Sequence, residues 1–86
     1  MAFAQRDRTP TDEVMDFLLS KPTPQQVLEL RPSRAAQERL RYLLDGNRND
    51  TLNDAERAEL DTYLQTEHFV RRLKIRAREM LAEQET

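Results

Sequence analysis

The chain lacks most of the residues on which chemical sites are built. It has no cysteine, which excludes disulfide bonds, zinc-thiolate sites and cysteine nucleophiles. A single glycine excludes a glycine-rich phosphate-binding loop, and a single histidine, His68, excludes metal sites made of several histidines. Val and Ile together occur only four times, which disfavours strands. These absences argue against a β fold and against the common catalytic centres.

The residues that are abundant are helix formers. Among 86 residues there are 12 Leu, 12 Arg and 8 Ala, and charged residues make up 35% of the chain against 37% that are apolar. A chain of this size forms one domain with a small core, which a partner or a dimer would stabilise. We expect an all-α protein, with a loose tail at residues 1–8 and a single helical domain at residues 9–86.

Capping residues divide this domain into helices. Proline and hydroxyl residues predict three short helices, at about residues 10–19, 24–30 and 34–44. The second begins with a capping box, because Thr23 precedes Pro24 and Gln26 stands three positions after the threonine. Gly46 follows the third helix at a position that suits a left-handed C-terminal cap.

The last helix is predicted to be much longer. Asn53 caps it, Glu56 completes its capping box, and neither Gly nor Pro occurs after Gly46. The helix can therefore run over residues 54–83, roughly 45 Å at about 1.5 Å per residue. Its apolar stripe consists of Ala55, Leu60, Tyr63, Leu64, Val70, Leu73, Ala77, Met80 and Leu81. We expect a small bundle in which three short helices pack on the first half of one long C-terminal helix.

The second half of this long helix is basic. Residues 68–86 carry five positive and three negative charges, net +2, whereas residues 45–67 carry two positive and seven negative charges, net −5. The predicted partner or homodimer surface comprises Val70, Arg71, Leu73, Lys74, Arg76, Ala77, Arg78, Met80 and Leu81. A solvated flank, docking on an acidic protein and nucleic-acid contact all suit this pattern. The acidic overall charge and the lack of aromatic stacking residues argue against nucleic acid.

Residues 45–56 resemble a degenerate EF-hand calcium loop. Oxygen-bearing side chains occupy the five ligand positions: Asp45, Asn47, Asn49, Asn53 and Glu56. The sixth position, where the motif has glycine at positive φ, holds Asp50. Helix capping by Asn53 and Glu56 explains the same residues without a metal. Calcium binding and a capped turn both remain open, with calcium as the only cofactor indicated.

No group of residues indicates catalysis. Carboxylate pairs such as Asp12 with Asp16 are not accompanied by an apolar pocket that would shift a pKa, and His68 lies at the edge of the apolar stripe. No apolar run has the length of a membrane span. We therefore expect a non-enzymatic, cytoplasmic protein that does not enter a membrane.

Several segments together resemble a family of small helical bacterial proteins that is common in cyanobacteria. The matching segments are FLLSxPTP at 17–24, RPS at 31–33, AQERL at 36–40, NR at 47–48, TL at 51–52, ERAELDxYL at 56–64, EH at 67–68 and LKxRAR at 73–78. The resemblance implies an antitoxin-like partner protein encoded beside a nuclease toxin. Members of this family typically have Glu and Gly where this chain has Asn49 and Asp50.

Overall fold

The computed structural model describes residues 9–85, which form four α-helices. These are α1 (Pro10–Leu19), α2 (Pro24–Leu28), α3 (Arg34–Arg48) and α4 (Asp54–Glu85). No strand occurs in residues 9–85, so the all-α prediction is confirmed. The predicted tail at residues 1–8 lies outside the described residues.

The helices begin where the capping residues predict. The Thr9 hydroxyl accepts a hydrogen bond from the Asp12 backbone N–H, and the Asp12 carboxylate accepts one from the Thr9 N–H, both at 3.1 Å. Thr23 and Gln26 form the same reciprocal pair, at 3.2 and 2.9 Å. Ser33 caps α3. Each cap satisfies N–H groups that the first helical turn leaves without partners, which fixes the starting points of the helices.

The main core lies between α3 and the first half of α4. Its buried residues are Ala36, Leu43, Leu52, Leu60 and Tyr63, with Leu40 packed against them. Leu43 is completely buried. The Tyr63 hydroxyl donates a hydrogen bond to the Ala36 carbonyl at 2.9 Å, so the tyrosine buries its ring and still satisfies its polar end.

Polar side chains form two further links between α3 and α4. The Arg39 guanidinium donates two hydrogen bonds to the Glu59 carboxylate, at 2.8 and 2.7 Å. One turn further along α3, the Tyr42 hydroxyl donates to the Glu56 carboxylate at 2.8 Å. Arg39 also lies over the Tyr42 ring, 4.9 Å from its centroid. The contacts with higher residue numbers in α3 have lower residue numbers in α4, so the two helices are antiparallel.

The end of α3 differs from its prediction. The helix continues to Arg48, and Gly46 is a helical residue without positive φ, so its predicted role as a left-handed cap is wrong. The left-handed residue is Asp50, with φ 57°. The Thr51 N–H donates to the Gly46 carbonyl at 2.9 Å and the Asp50 N–H to the Asn47 carbonyl at 3.3 Å, the two hydrogen bonds of a Schellman motif.

Gly46 has a packing role instead. A Cβ at this position would lie 3.0 Å from Cγ of Leu52 and closer still to its Cδ2. Leu52 is buried, and the missing side chain of Gly46 makes room for it. The glycine therefore allows the residue before the α4 cap to reach the core.

The second half of α4 is also covered on one side, which the sequence did not predict. The Lys74 ammonium donates a hydrogen bond to the carbonyl of Leu30, two residues beyond α2, at 2.8 Å. Val27 of α2 and Ala77 of α4 are both buried, and α2 packs on α4. The prediction that all three short helices lie on the first half is therefore wrong for α2.

Every extensive helix–helix contact within residues 9–85 involves α4. α1 lies against its middle, where the Thr11 and Thr66 hydroxyls share a hydrogen bond at 2.8 Å. The molecule measures 51 × 37 × 18 Å. Because a helix is about 10 Å across, 18 Å is the thickness of two helix layers. The short helices thus cover one side of α4 and leave the other open.

Replacing Gly46 with alanine tests this packing. Alanine favours a helix over glycine by about 0.5–1 kcal/mol, but overpacking against Leu52 costs about 1–3 kcal/mol. We expect Gly46→Ala to lower the free energy of unfolding by about 1 kcal/mol, measured by urea denaturation.

The matched background is Leu52→Ala, which removes the side chain that the new Cβ would meet. In that background Gly46→Ala should stabilise the protein by about 0.5–1 kcal/mol. The same sign in both backgrounds would show that Leu52 is not the reason for the glycine.

Candidate interaction surface

The open side of α4 carries large apolar side chains among arginines. We call the exposed arc formed by Phe69, Arg72, Ile75, Arg76 and Met80 the outer face. It extends from the edge of the covered side, where Phe69 and Met80 lie, to Arg72 and Ile75, which point away from it. Phe69 and Ile75 are each 49% exposed and Met80 is 39% exposed. Exposed apolar side chains mark a protein-binding surface where they form a contiguous patch with a polar rim.

The predicted partner residues are distributed over two sides of α4. Arg71, Arg76, Arg78 and Met80 are exposed. Val70, Leu73, Lys74 and Leu81 are half-buried, and Ala77 is 4% exposed, so it is not accessible to a partner. Arg72 and Ile75 were not among the predicted residues, although both are exposed.

The helical period explains this division. Successive residues advance by about 100° around the axis, so Arg72 lies about 140° from Ala77 and opposite the covered side. An apolar stripe read from sequence does not distinguish the side that the protein covers from its two edges. To predict that Ile75 is exposed, one must know which side of α4 the short helices cover.

The cations of this region are only partly neutralised. Arg71 pairs with Glu67 at 3.4 Å and Arg76 with Glu79 at 3.1 Å. Within residues 9–85, neither Arg72 nor Arg78 forms an ion pair. The second half of α4 is therefore positive on its exposed surface.

A cleft of about 310 Å³ lies on the opposite, covered side of α4. Side chains of α1, residues 30–32, α3 and α4 line it. We call it the inner cleft. Its walls are largely apolar, and its cations are Arg31, Arg71 and Lys74. Burial lowers the pKa of the Lys74 ammonium, and the positive charges of Arg31 and Arg78 lower it further.

The residues of the calcium hypothesis have positions that do not converge. Asp45 and Asn47 lie within α3, about 160° apart around its axis. The Asp45 carboxylate pairs with Arg48 at 3.3 Å, and Asn49 is the C-cap of α3. Nowhere in residues 9–85 are three or more His, Cys, Asp or Glu side chains grouped to hold a metal ion. Calcium binding therefore gains no support from this arrangement.

The other two ligand candidates cap α4. The Asn53 side chain accepts a hydrogen bond from the Glu56 N–H at 2.7 Å, and Glu56 accepts one from the Asn53 N–H at 3.0 Å. The second carboxylate oxygen of Glu56 accepts from the Tyr42 hydroxyl. The hydrogen bonds from Asn53 and Tyr42 lower the pKa of the Glu56 carboxyl, because both favour its charged form.

Neither a family model, nor a curated protein, nor a solved structure matches the chain.

Within residues 9–85 no helix combines the length and the apolar character that crossing a membrane requires.

Glu56→Gln tests the charge of this carboxylate, because a glutamine can still accept the capping hydrogen bond, as Gln26 does from Thr23. A carboxyl whose pKa is lowered by folding stabilises the protein above its unfolded pKa, and this contribution is lost as the pH falls through the lowered folded value. We expect Glu56→Gln to unfold at a lower temperature than the wild type at pH 7. Its melting temperature should also fall less between about pH 5 and pH 3. Circular dichroism at a series of pH values measures both effects.

Glu38→Gln is the control, since it makes the same chemical change at an exposed ion pair with Arg34. Its melting temperature should follow that of the wild type across the pH range. Equal pH dependence of Glu56→Gln and the wild type would contradict a stabilising contribution from the Glu56 charge.

Proposed function

We propose that this chain is a non-enzymatic protein-interaction module, an antitoxin-like or regulatory partner of another cytoplasmic protein. The observation that supports this most is the outer face of α4. It presents Phe69, Ile75 and Met80 to solvent on a helix whose covered side is held by the rest of the domain. A surface supported in this way loses little conformational freedom when it binds.

The charges favour an acidic partner. Arg72 and Arg78 have no ion-pair partner within residues 9–85, and Arg76 is exposed. An arginine fork binds carboxylates in a bidentate manner, which provides orientation as well as attraction. A partner helix or groove with apolar residues flanked by Asp or Glu would complement this face.

Paired substitutions test the proposal. The protein is purified with its natural partner from native cells, and the double variant Phe69→Ala, Met80→Ala is compared with the wild type. Because exposed aromatic and apolar anchors carry much of the energy of an interface, we expect the double variant to lose at least about tenfold in affinity for the recovered partner. Isothermal titration calorimetry measures the loss.

The control double variant, Met15→Ala with Leu19→Ala, removes two exposed apolar side chains of α1 that lie away from the outer face. It should bind the partner as the wild type does. Purification as a monomer without a bound partner would contradict the proposal. So would an equal loss of affinity in the two double variants. So would retention on DNA that falls steeply with salt and depends on Arg72 and Arg76.

A further inference from the structure

We propose that the inner cleft is a binding site for a small amphipathic anion, an aliphatic chain that ends in a carboxylate. This inference is independent of the proposed function, because the cleft lies on the side of α4 opposite the outer face. Its volume, about 310 Å³, is at the lower end of the range for small-molecule sites.

The cleft is held open by contacts at its edges. The Thr11–Thr66 hydrogen bond, at 2.8 Å, joins α1 to α4. The Tyr63 hydroxyl joins α4 to α3, and the Lys74 ammonium joins α4 to the carbonyl of Leu30. Four chain segments are therefore fixed around one space, and a ligand would meet walls already in place.

The walls suit an aliphatic chain. Val14, Leu30, Leu40 and Val70 all line the cleft, and each is half-buried, so part of its apolar surface faces the open space. Val14 belongs to α1, Leu40 to α3 and Val70 to α4, and Leu30 lies just after α2. A hydrocarbon chain placed among them would remove this surface from water, which favours binding.

The charges of the cleft suit an anionic head group. Its three cations, Arg31, Arg71 and Lys74, outnumber its two carboxylates, Glu13 and Glu67. Glu67 pairs with Arg71, and Glu13 accepts a hydrogen bond from Ser33 at 2.9 Å. Arg31 has no ion pair within residues 9–85. Lys74 uses one of its three N–H donors on Leu30 and keeps two.

The cations around Lys74 also repel one another. Arg31 and Arg78 both lower the pKa of Lys74, so their charges act at the same place. A carboxylate bound between Arg31 and Lys74 would relieve this repulsion and accept charge-assisted hydrogen bonds from both. An alcohol of the same length would make the same apolar contacts with the walls but no charge-assisted hydrogen bonds. An alkylammonium would add to the repulsion.

A nuclear magnetic resonance titration of the ¹⁵N-labelled protein with octanoate tests the proposal. Octanol and octylammonium are the matched neutral and cationic probes. We expect octanoate to shift amide signals around the cleft and to bind about tenfold more tightly than octanol, with no binding by octylammonium. Shortening octanoate should weaken binding by about two- to fourfold for each methylene removed.

Two single-charge variants locate the head group. Arg31→Gln should lower the affinity for octanoate by about five- to tenfold, because it removes the unpaired cation of the cleft. The affinity for octanol should not change. Arg72→Gln makes the same change on the outer face and should leave both affinities unchanged. Both positions are exposed, so neither substitution threatens the fold.

Val14→Phe narrows the cleft and should weaken binding of octanoate and octanol alike, with folding checked by thermal unfolding. If that variant does not fold, the comparison of Arg31→Gln with Arg72→Gln still tests whether octanoate binds in the cleft. Shifts located away from the cleft, no binding of octanoate, or equal effects of the two arginine variants would each overturn the proposal.

Discussion

α4 holds 32 residues in one helix, and the shorter helices pack against it rather than around a centre of their own. Three helices of 10, 5 and 15 residues offer too little apolar surface for a separate core. α3 lies antiparallel to the first half of α4, α1 lies at its middle and α2 at its second half, so all three depend on α4 being one unbroken helix. The absence of Gly and Pro after Gly46 provides this.

A helix used in this way has two different sides. The covered side holds the core and the inner cleft, where several short segments meet without filling the space between them. The other side keeps exposed apolar residues such as Phe69 and Ile75. Both proposed binding sites thus follow from one cause, a helix longer than the elements available to enclose it. They are separate surfaces and can be tested separately.

The sequence predicted local features well because local chemistry determines them. Thr23 and Asn53 mark helix starts through side-chain oxygens that only neighbouring N–H groups can use. Features that depend on distant residues were missed or wrong. The position of Gly46 after an apolar stripe predicts a left-handed cap, which is wrong. Its actual role depends on the contact with Leu52, and this contact exists only in the folded chain. For the same reason, the pairing of Arg39 with Glu59 and the cleft itself were not predicted from spacing.

The most direct test of an unbroken α4 is a distance measured along it. The chain has no cysteine, so Ala58→Cys with Ala82→Cys places spin labels at two exposed positions of α4 and nowhere else. Double electron–electron resonance then gives the separation. A continuous helix predicts one narrow distribution with the two Cα atoms about 36 Å apart, at about 1.5 Å for each of the 24 steps. A much shorter distance, or a broad distribution, would contradict the central role of this helix.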